Sequence, residues 1–196
     1  MRRADVAFAG VAAADAVLAV AGLDRARWLT KPALMPLLMP GRDRATRVAL
    51  GFGWVGDVAL LGEGEVAFQV GLAGFLAGHL AWIAALRRRP GGGRLRDRPA
   101  LAVPPVAAAA VLNAVLWRRT GQNRVPVLAY SGALLAMSLT ALDRGSPAAA
   151  AGGLLFLVSD AVLALEKFGV TRIPAAEGLV MVSYATAQAL LAGAPA

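Results

Sequence analysis

The stretch GGLLFLVSDAVLAL, residues 152–165, sets one aspartate, Asp160, inside an otherwise apolar run. A second stretch, GFGWVGDVALL at 51–61, does the same with Asp57. Runs of this kind recur along the chain, separated by short polar stretches. That pattern reads as a polytopic membrane protein rather than as a soluble core.

Composition points the same way. Of 196 residues, 58% are hydrophobic and 16% charged, and the mean hydropathy is +0.62. A soluble domain carries about 25% charged residues. The absence of cysteine excludes disulfides, thiolate nucleophiles and cysteine-ligated metals. The formal net charge is +8, but the arginines lie between the apolar segments with hardly any aromatics among them. The charge is therefore read as setting membrane orientation, with no nucleic-acid partner.

Eight apolar segments can be marked, at about 4–22, 29–40, 48–62, 66–86, 100–117, 125–142, 147–167 and 174–193. A helix rising ~1.5 Å per residue needs ~20 residues to cross the hydrocarbon. The expected architecture is all-α, a polytopic eight-helix transmembrane bundle forming one domain over 1–196. The second segment is the least regular, because it is short and holds Pro32, Pro36 and Pro40. It is tilted, kinked, or extended back through Trp28. The first follows Arg2 and Arg3 like a secretory signal, yet Asp15 interrupts its core, which favours a retained helix.

The N-terminus and the even-numbered loops carry twelve of the twenty Lys and Arg residues, six of them in RRRPGGGRLRDR at 87–98. The third loop, GEGE at 62–65, is purely acidic, although WRRTGQNR in the fifth runs the other way. The bias places the protein in the cell membrane with both termini cytoplasmic. The likeness of the two aspartate-bearing stretches hints at a four-plus-four tandem repeat. Chance similarity between glycine-rich apolar helices accounts for it about as well. No glycine motif specifies a dimer, and oligomeric state is left open.

An ionisable group at bilayer depth costs several kcal/mol unless it is paired or hydrated. Asp57 lies roughly 7–8 Å, and Asp160 roughly 10 Å, from the ends of their segments, both on the odd-loop side. Lys31 and Tyr130 sit near the odd-loop ends of the second and sixth segments, and Ser159 adjoins Asp160. Four helices thus bring polar groups to one level, as the lining of a cavity would. For the two acids, the plainer alternative is an ion pair with Lys31 or an arginine.

His79, the single histidine, lies deeper in the fourth segment, beside glycines at 71, 74 and 78 that flatten one face for close packing. It is read either as an inter-helix hydrogen-bonding residue or as a metal ligand with Asp57 and Asp160. Tyr184 and Gln188, four apart on one helical face, are either interhelical glue or substrate contacts. Asp15 is deep enough to turn inward.

Taken in order, TKPALMPLL, GWVGDVALL, FQVGLAGFLAGHLAWI, PVLAYS, GGLLFLVSDAVLALEKF and YATAQALL resemble the YhhN-type membrane proteins, the lysoplasmalogenase family. The resemblance runs from about residue 29 to 192. It implies a multi-helix membrane protein that hydrolyses the vinyl ether bond of lysoplasmalogens to a fatty aldehyde and a glycerophospho-alcohol. It further implies that Asp57 and Asp160 are catalytic, and that Lys31, Pro32, His79, Tyr130, Ser159 and Gln188 fill the remaining polar motif positions. Trp82 departs from the pattern, since a tyrosine is expected there.

Vinyl ether hydrolysis suits two carboxyls. One gives a proton to the carbon remote from oxygen, and the other stabilises the resulting oxocarbenium ion and activates water. The division parallels glycoside hydrolysis, and it requires no cofactor and no metal. The expected partners are a lysolipid substrate and the bilayer, with Lys31 either meeting the phosphate or snorkelling to the interface. Two other readings stay open: a small proton-coupled transporter, and a non-catalytic lipid-binding membrane protein.

Overall fold

The structure, a computed structural model, describes residues 2–144 and 146–193. No strand occurs among the described residues. The helices are α1 (Arg3–Val20), α2 (Asp24–Leu38), α3 (Arg44–Ala59), α4 (Gly64–Arg87), α5 (Arg94–Asp97), α6 (Val103–Leu116), α7 (Arg124–Asp143), α8 (Pro147–Lys167) and α9 (Ala176–Gly193). Each expected segment overlaps one long helix, and α5 is a single turn within the arginine-rich loop.

Local chemistry explains the boundaries. Asp43 caps α3 by accepting from the Thr46 amide, and Ser146 caps α8 ahead of Pro147 in the first turn. α1 and α8 both end in Schellman turns, with Gly22 and Gly169 at positive φ.

The second segment begins at Asp24 rather than 29, so Trp28 does belong to its helix. Pro32 and Pro36 lie inside α2. Lacking N–H groups, they leave the carbonyls of Trp28 and Pro32 without their usual donors one turn on. Trp54 of α3 donates Nε1–H to the Pro32 carbonyl at 2.8 Å. That bond fixes the register of α3 against α2. It brings Asp57, three residues after Trp54, beside Lys31, one residue before Pro32.

Four helical stretches are long and apolar enough to cross a membrane: Gly64–Arg87, Pro99–Leu116, Gly121–Asp143 and Pro147–Lys167. The other long helices fall short of that mark. α2 and α3 have 15 and 16 residues, α1 carries Arg3, Asp5 and Asp15, and α9 carries Glu177, Tyr184 and Gln188.

The expected eight-helix bundle also needs correction in its arrangement. α1, α2, α3, α4, α7, α8 and α9 pack each against the next, and α9 closes back on α1. The result is a ring of seven helices. α6 lies outside the ring against α7 and α8, where its alanine- and valine-rich surface stays largely uncovered. It acts as the crossover that returns the chain, so that α4 and α7 run parallel. The two halves are not packed alike, since α1 and α2 are closely apposed whereas α6 meets α7 lightly.

Glycines allow the closest approaches. A Cβ at Gly74 would lie 2.9 Å from the Gly56 backbone nitrogen, and one at Gly78 would lie 3.4 Å from that of Gly53. Gly153 similarly lets α8 approach Ser138 of α7. The expected flat face of α4 is therefore the surface that receives α3. Gly74→Ala is expected to destabilise the protein by about 1–3 kcal/mol, the cost of forcing a methyl into backbone. Gly132→Ala, where nothing lies within 4 Å, should leave the melting temperature in detergent unchanged or slightly raised. Equal melting of the two variants would contradict this packing.

Candidate active site

A cavity of about 510 Å³ opens into the ring. Its lining comes from the first halves of α2, α4, α7 and α9 and the second halves of α3 and α8. All of these meet at the end carrying the α1–α2, α3–α4, α6–α7 and α8–α9 connections. Lys31, Asp57, Tyr130, Ser159, Asp160 and Tyr184 all line it.

Each aspartate is held by one of the chain's two tyrosines. Tyr184 of α9 donates its hydroxyl hydrogen to Asp57 Oδ2 at 2.7 Å. Gln188 Nε2 donates to that same tyrosine oxygen at 3.2 Å, and Trp82 Nε1 donates to Gln188 Oε1 at 3.1 Å. On the far side Lys31 Nζ stands 3.9 Å from Asp57 Oδ1. The ladder Trp82–Gln188–Tyr184–Asp57–Lys31 thus joins α4, α9, α3 and α2.

The second ladder is shorter. Tyr130 of α7 donates to Asp160 Oδ2 of α8, and His79 Nε2 lies 3.2 Å from the Tyr130 oxygen. Because the tyrosine hydrogen is used on Asp160, His79 is assigned as the donor, which leaves Nδ1 as the unprotonated nitrogen. That atom is buried without a hydrogen-bond partner.

An aromatic wall joins the two ladders. Phe156 packs edge-on against His79 at 4.9 Å and against Tyr184 at 5.3 Å, and Phe75 meets Tyr184 edge-on at 5.7 Å. Below them Leu50, Trp82, Leu86 and Leu191 are almost wholly buried. Arg89 ties the floor together by donating to the Leu191 carbonyl and to Thr46. The cavity therefore has a closed base.

Among the residues singled out from sequence, Lys31, Asp57, Tyr130, Asp160 and Tyr184 line the one cavity, in two hydrogen-bonded or ion-paired groups, Lys31–Asp57–Tyr184 and Tyr130–Asp160. Gln188 and His79 stand behind the tyrosines. Ser159 donates to the Val180 carbonyl at 3.2 Å and so ties α8 to α9. Trp82 is buried and supplies an N–H donor in place of the expected tyrosine hydroxyl. Among the described residues no group of three or more His, Asp or Glu side chains is placed to share a metal. His79 reaches Asp160 only through Tyr130.

Three contributors escaped the sequence reading. Phe75 and Phe156 lie one turn before His79 and Asp160, so the i,i+4 rule applied to the polar residues would have found them. Arg27 lies one turn before Lys31 on α2. Its guanidinium is 3.0 Å from Glu177, 3.5 Å from Asp24 and 3.5 Å from the fully buried Asp15, which also accepts from Thr30 at 2.6 Å. Asp15 does turn inward, to anchor Arg27 at the cavity wall.

The sequence profile of the YhhN family matches residues 26–194. The chain belongs to the YhhN family. No curated protein and no solved structure matches it. In this YhhN-family chain the matched region contains both ladders, Arg27 and the cavity floor.

Gln188→Leu would strip Trp82 Nε1 of its acceptor and Tyr184 of a donor in a dry interior. The expected loss is about 1–3 kcal/mol of stability, the range for stranding a buried polar group. Thermal unfolding in detergent reads it, and an unshifted transition would show that Gln188 is not a structural link.

Proposed function

We propose that this chain is a membrane-embedded hydrolase that cleaves the vinyl ether bond of lysoplasmalogen-type lysolipids. One observation carries the reading: two carboxyls from separate helices line one cavity within an apolar ring, each oriented by a tyrosine. All eight long helices cross the bilayer in this reading, with both termini cytoplasmic. The shorter helices tolerate their polar residues because those turn into the ring.

The reaction balances without a cofactor. One carboxyl protonates the alkenyl carbon remote from oxygen, giving an oxocarbenium ion. The other carboxylate takes a proton from water as the water oxygen bonds to the cationic carbon, giving a hemiacetal. In the collapse, the first carboxylate accepts the hemiacetal hydroxyl proton. The second carboxyl donates to the departing glycerol oxygen, and both return to their starting states.

Cavity shape fits an amphiphile. The alkenyl chain enters among apolar side chains while the head group stays at the mouth. Arg27 lies one helical turn, ~6 Å, outward of Lys31, which suits a phosphate separated from the ether by the glycerol backbone. Arg27 is the proposed phosphate contact, with Asp24 and Glu177, both largely exposed, giving way to it.

Purified in detergent, the protein is expected to release fatty aldehyde from lysoplasmenylethanolamine. Asp57→Asn and Asp160→Asn should each lower turnover by about 10²-fold or more, as loss of a general acid or base does. Arg27→Gln should raise KM for the lysophospholipid and leave that of a head-group-free enol ether unchanged. Wild-type turnover in either aspartate variant would remove that residue from the mechanism. Uptake into vesicles without aldehyde release would replace hydrolysis with transport.

A further inference from the structure

The two carboxyls are not equivalent. Asp57 is 1% exposed. One of its oxygens accepts from Tyr184, and the other faces the ammonium of Lys31, which is itself mostly buried. Asp160 pairs with no cation among the described residues. Tyr130 occupies its Oδ2, and the residue is less enclosed than Asp57 and borders the cavity.

The surroundings of Asp160 bear this out helix by helix. α7 presents Tyr130, with Arg124 at its outer end donating to the Trp117 carbonyl. Behind Tyr130, α4 presents His79. α9 carries Tyr184, which is committed to Asp57, and Glu177, which is committed to Arg27. α6, also packed on α8, has no charged residue. On α8 itself, Glu166 and Lys167 lie more than a turn outward. Glu166 accepts from the Ile173 amide, and Lys167 sits 4.8 Å over the Phe68 ring.

We propose that Lys31 sorts the two acids: it holds Asp57 as the carboxylate and leaves Asp160, which has no counter-ion, as the proton-carrying group. The inference rests on the two-carboxyl hydrolase reading for its consequence but not for its test. A buried carboxylate with an ammonium beside it keeps its charge, whereas one without a cation is neutral at lower cost. Tyr130 on Oδ2 then leaves Oδ1 as the oxygen that bears the proton.

In the reaction, Asp160 protonates the alkenyl carbon. Asp57 steadies the oxocarbenium ion and deprotonates the attacking water. In the collapse Asp160 takes the hemiacetal proton, and Asp57 returns its proton to the leaving oxygen. Lys31 is a positioning residue in this scheme, acting through Asp57. Tyr130 and Tyr184 are positioning residues for the orientation of each carboxyl.

Infrared spectroscopy of the full chain in detergent at neutral pH, without substrate, tests the assignment directly. The wild-type protein should show the C=O stretch of a protonated carboxyl, and Asp160→Asn should lose it. Lys31→Met should gain a second such band as Asp57 takes up a proton, and Lys31→Arg should not. A band that survives intact in Asp160→Asn, or no added band in Lys31→Met, overturns the proposal.

Kinetics supply the second readout. Lys31→Met should lower aldehyde release at neutral pH by roughly 10²-fold, the scale of a lost general base. The acid limb of the pH–rate profile should move to higher pH while the basic limb stays in place, and Lys31→Arg should restore both rate and profile. Movement of the basic limb instead would make Asp57 the acid and overturn the assignment. Infrared bands as expected but no aldehyde from any enol ether would instead refute the hydrolase reading and leave the sorting standing.

Discussion

Removing a carboxyl group from water, charged or neutral, costs free energy unless a cation or hydrogen-bond partners replace the lost solvent, and that constraint organises the interior of the ring. Asp57 meets it with Tyr184 and Lys31, Asp160 with Tyr130, and Asp15 with Arg27 and Thr30. Every one of these partners comes from a different helix than the acid it serves. Satisfying the acids therefore pins α1 to α2, α2 to α3, α3 to α9 and α7 to α8. The apolar face of each helix would accept many rotations, but the polar partners accept one.

The same constraint explains the glycines and prolines. Tyr184 and Gln188 reach toward Asp57 past Gly53, where a Cβ would lie 3.0 Å from Gln188 Nε2. Pro32 and Pro36 free carbonyls in α2 next to Lys31, and Trp54 answers one of them. The motifs around residues 31, 57 and 184 are thus parts of a single hydrogen-bonded assembly distributed over three helices.

Much of this was legible in the sequence. The eight helices follow from apolar runs long enough to bury a helix, although α3 starts at Arg44, ahead of the apolar run that marks it, because Asp43 caps it there. Lys31, Asp57, Tyr130, Asp160, Tyr184 and Gln188 stood out because polar groups in apolar runs are costly and so must have a reason. The start of α2 was less legible, because Asp24, Arg25 and Arg27 look like loop charge until Asp15 and Glu177 are seen to neutralise Arg27. Phe75 and Phe156 were hidden for the opposite reason, since a phenylalanine in an apolar helix looks like any other core residue.

The sequence by itself determined that this chain is helical, apolar and marked by a few buried polar groups at one level, because periodicity and transfer cost are properties of single segments. Tertiary structure alone decided that seven helices close into a ring with α6 outside, and that each aspartate receives its own tyrosine. It also decided that the Lys31 ammonium stands against Asp57 rather than Asp160. Those outcomes depend on the rotation and register of one helix against another. Glycine contacts and hydrogen bonds between distant residues set both, and no local pattern along the chain records them.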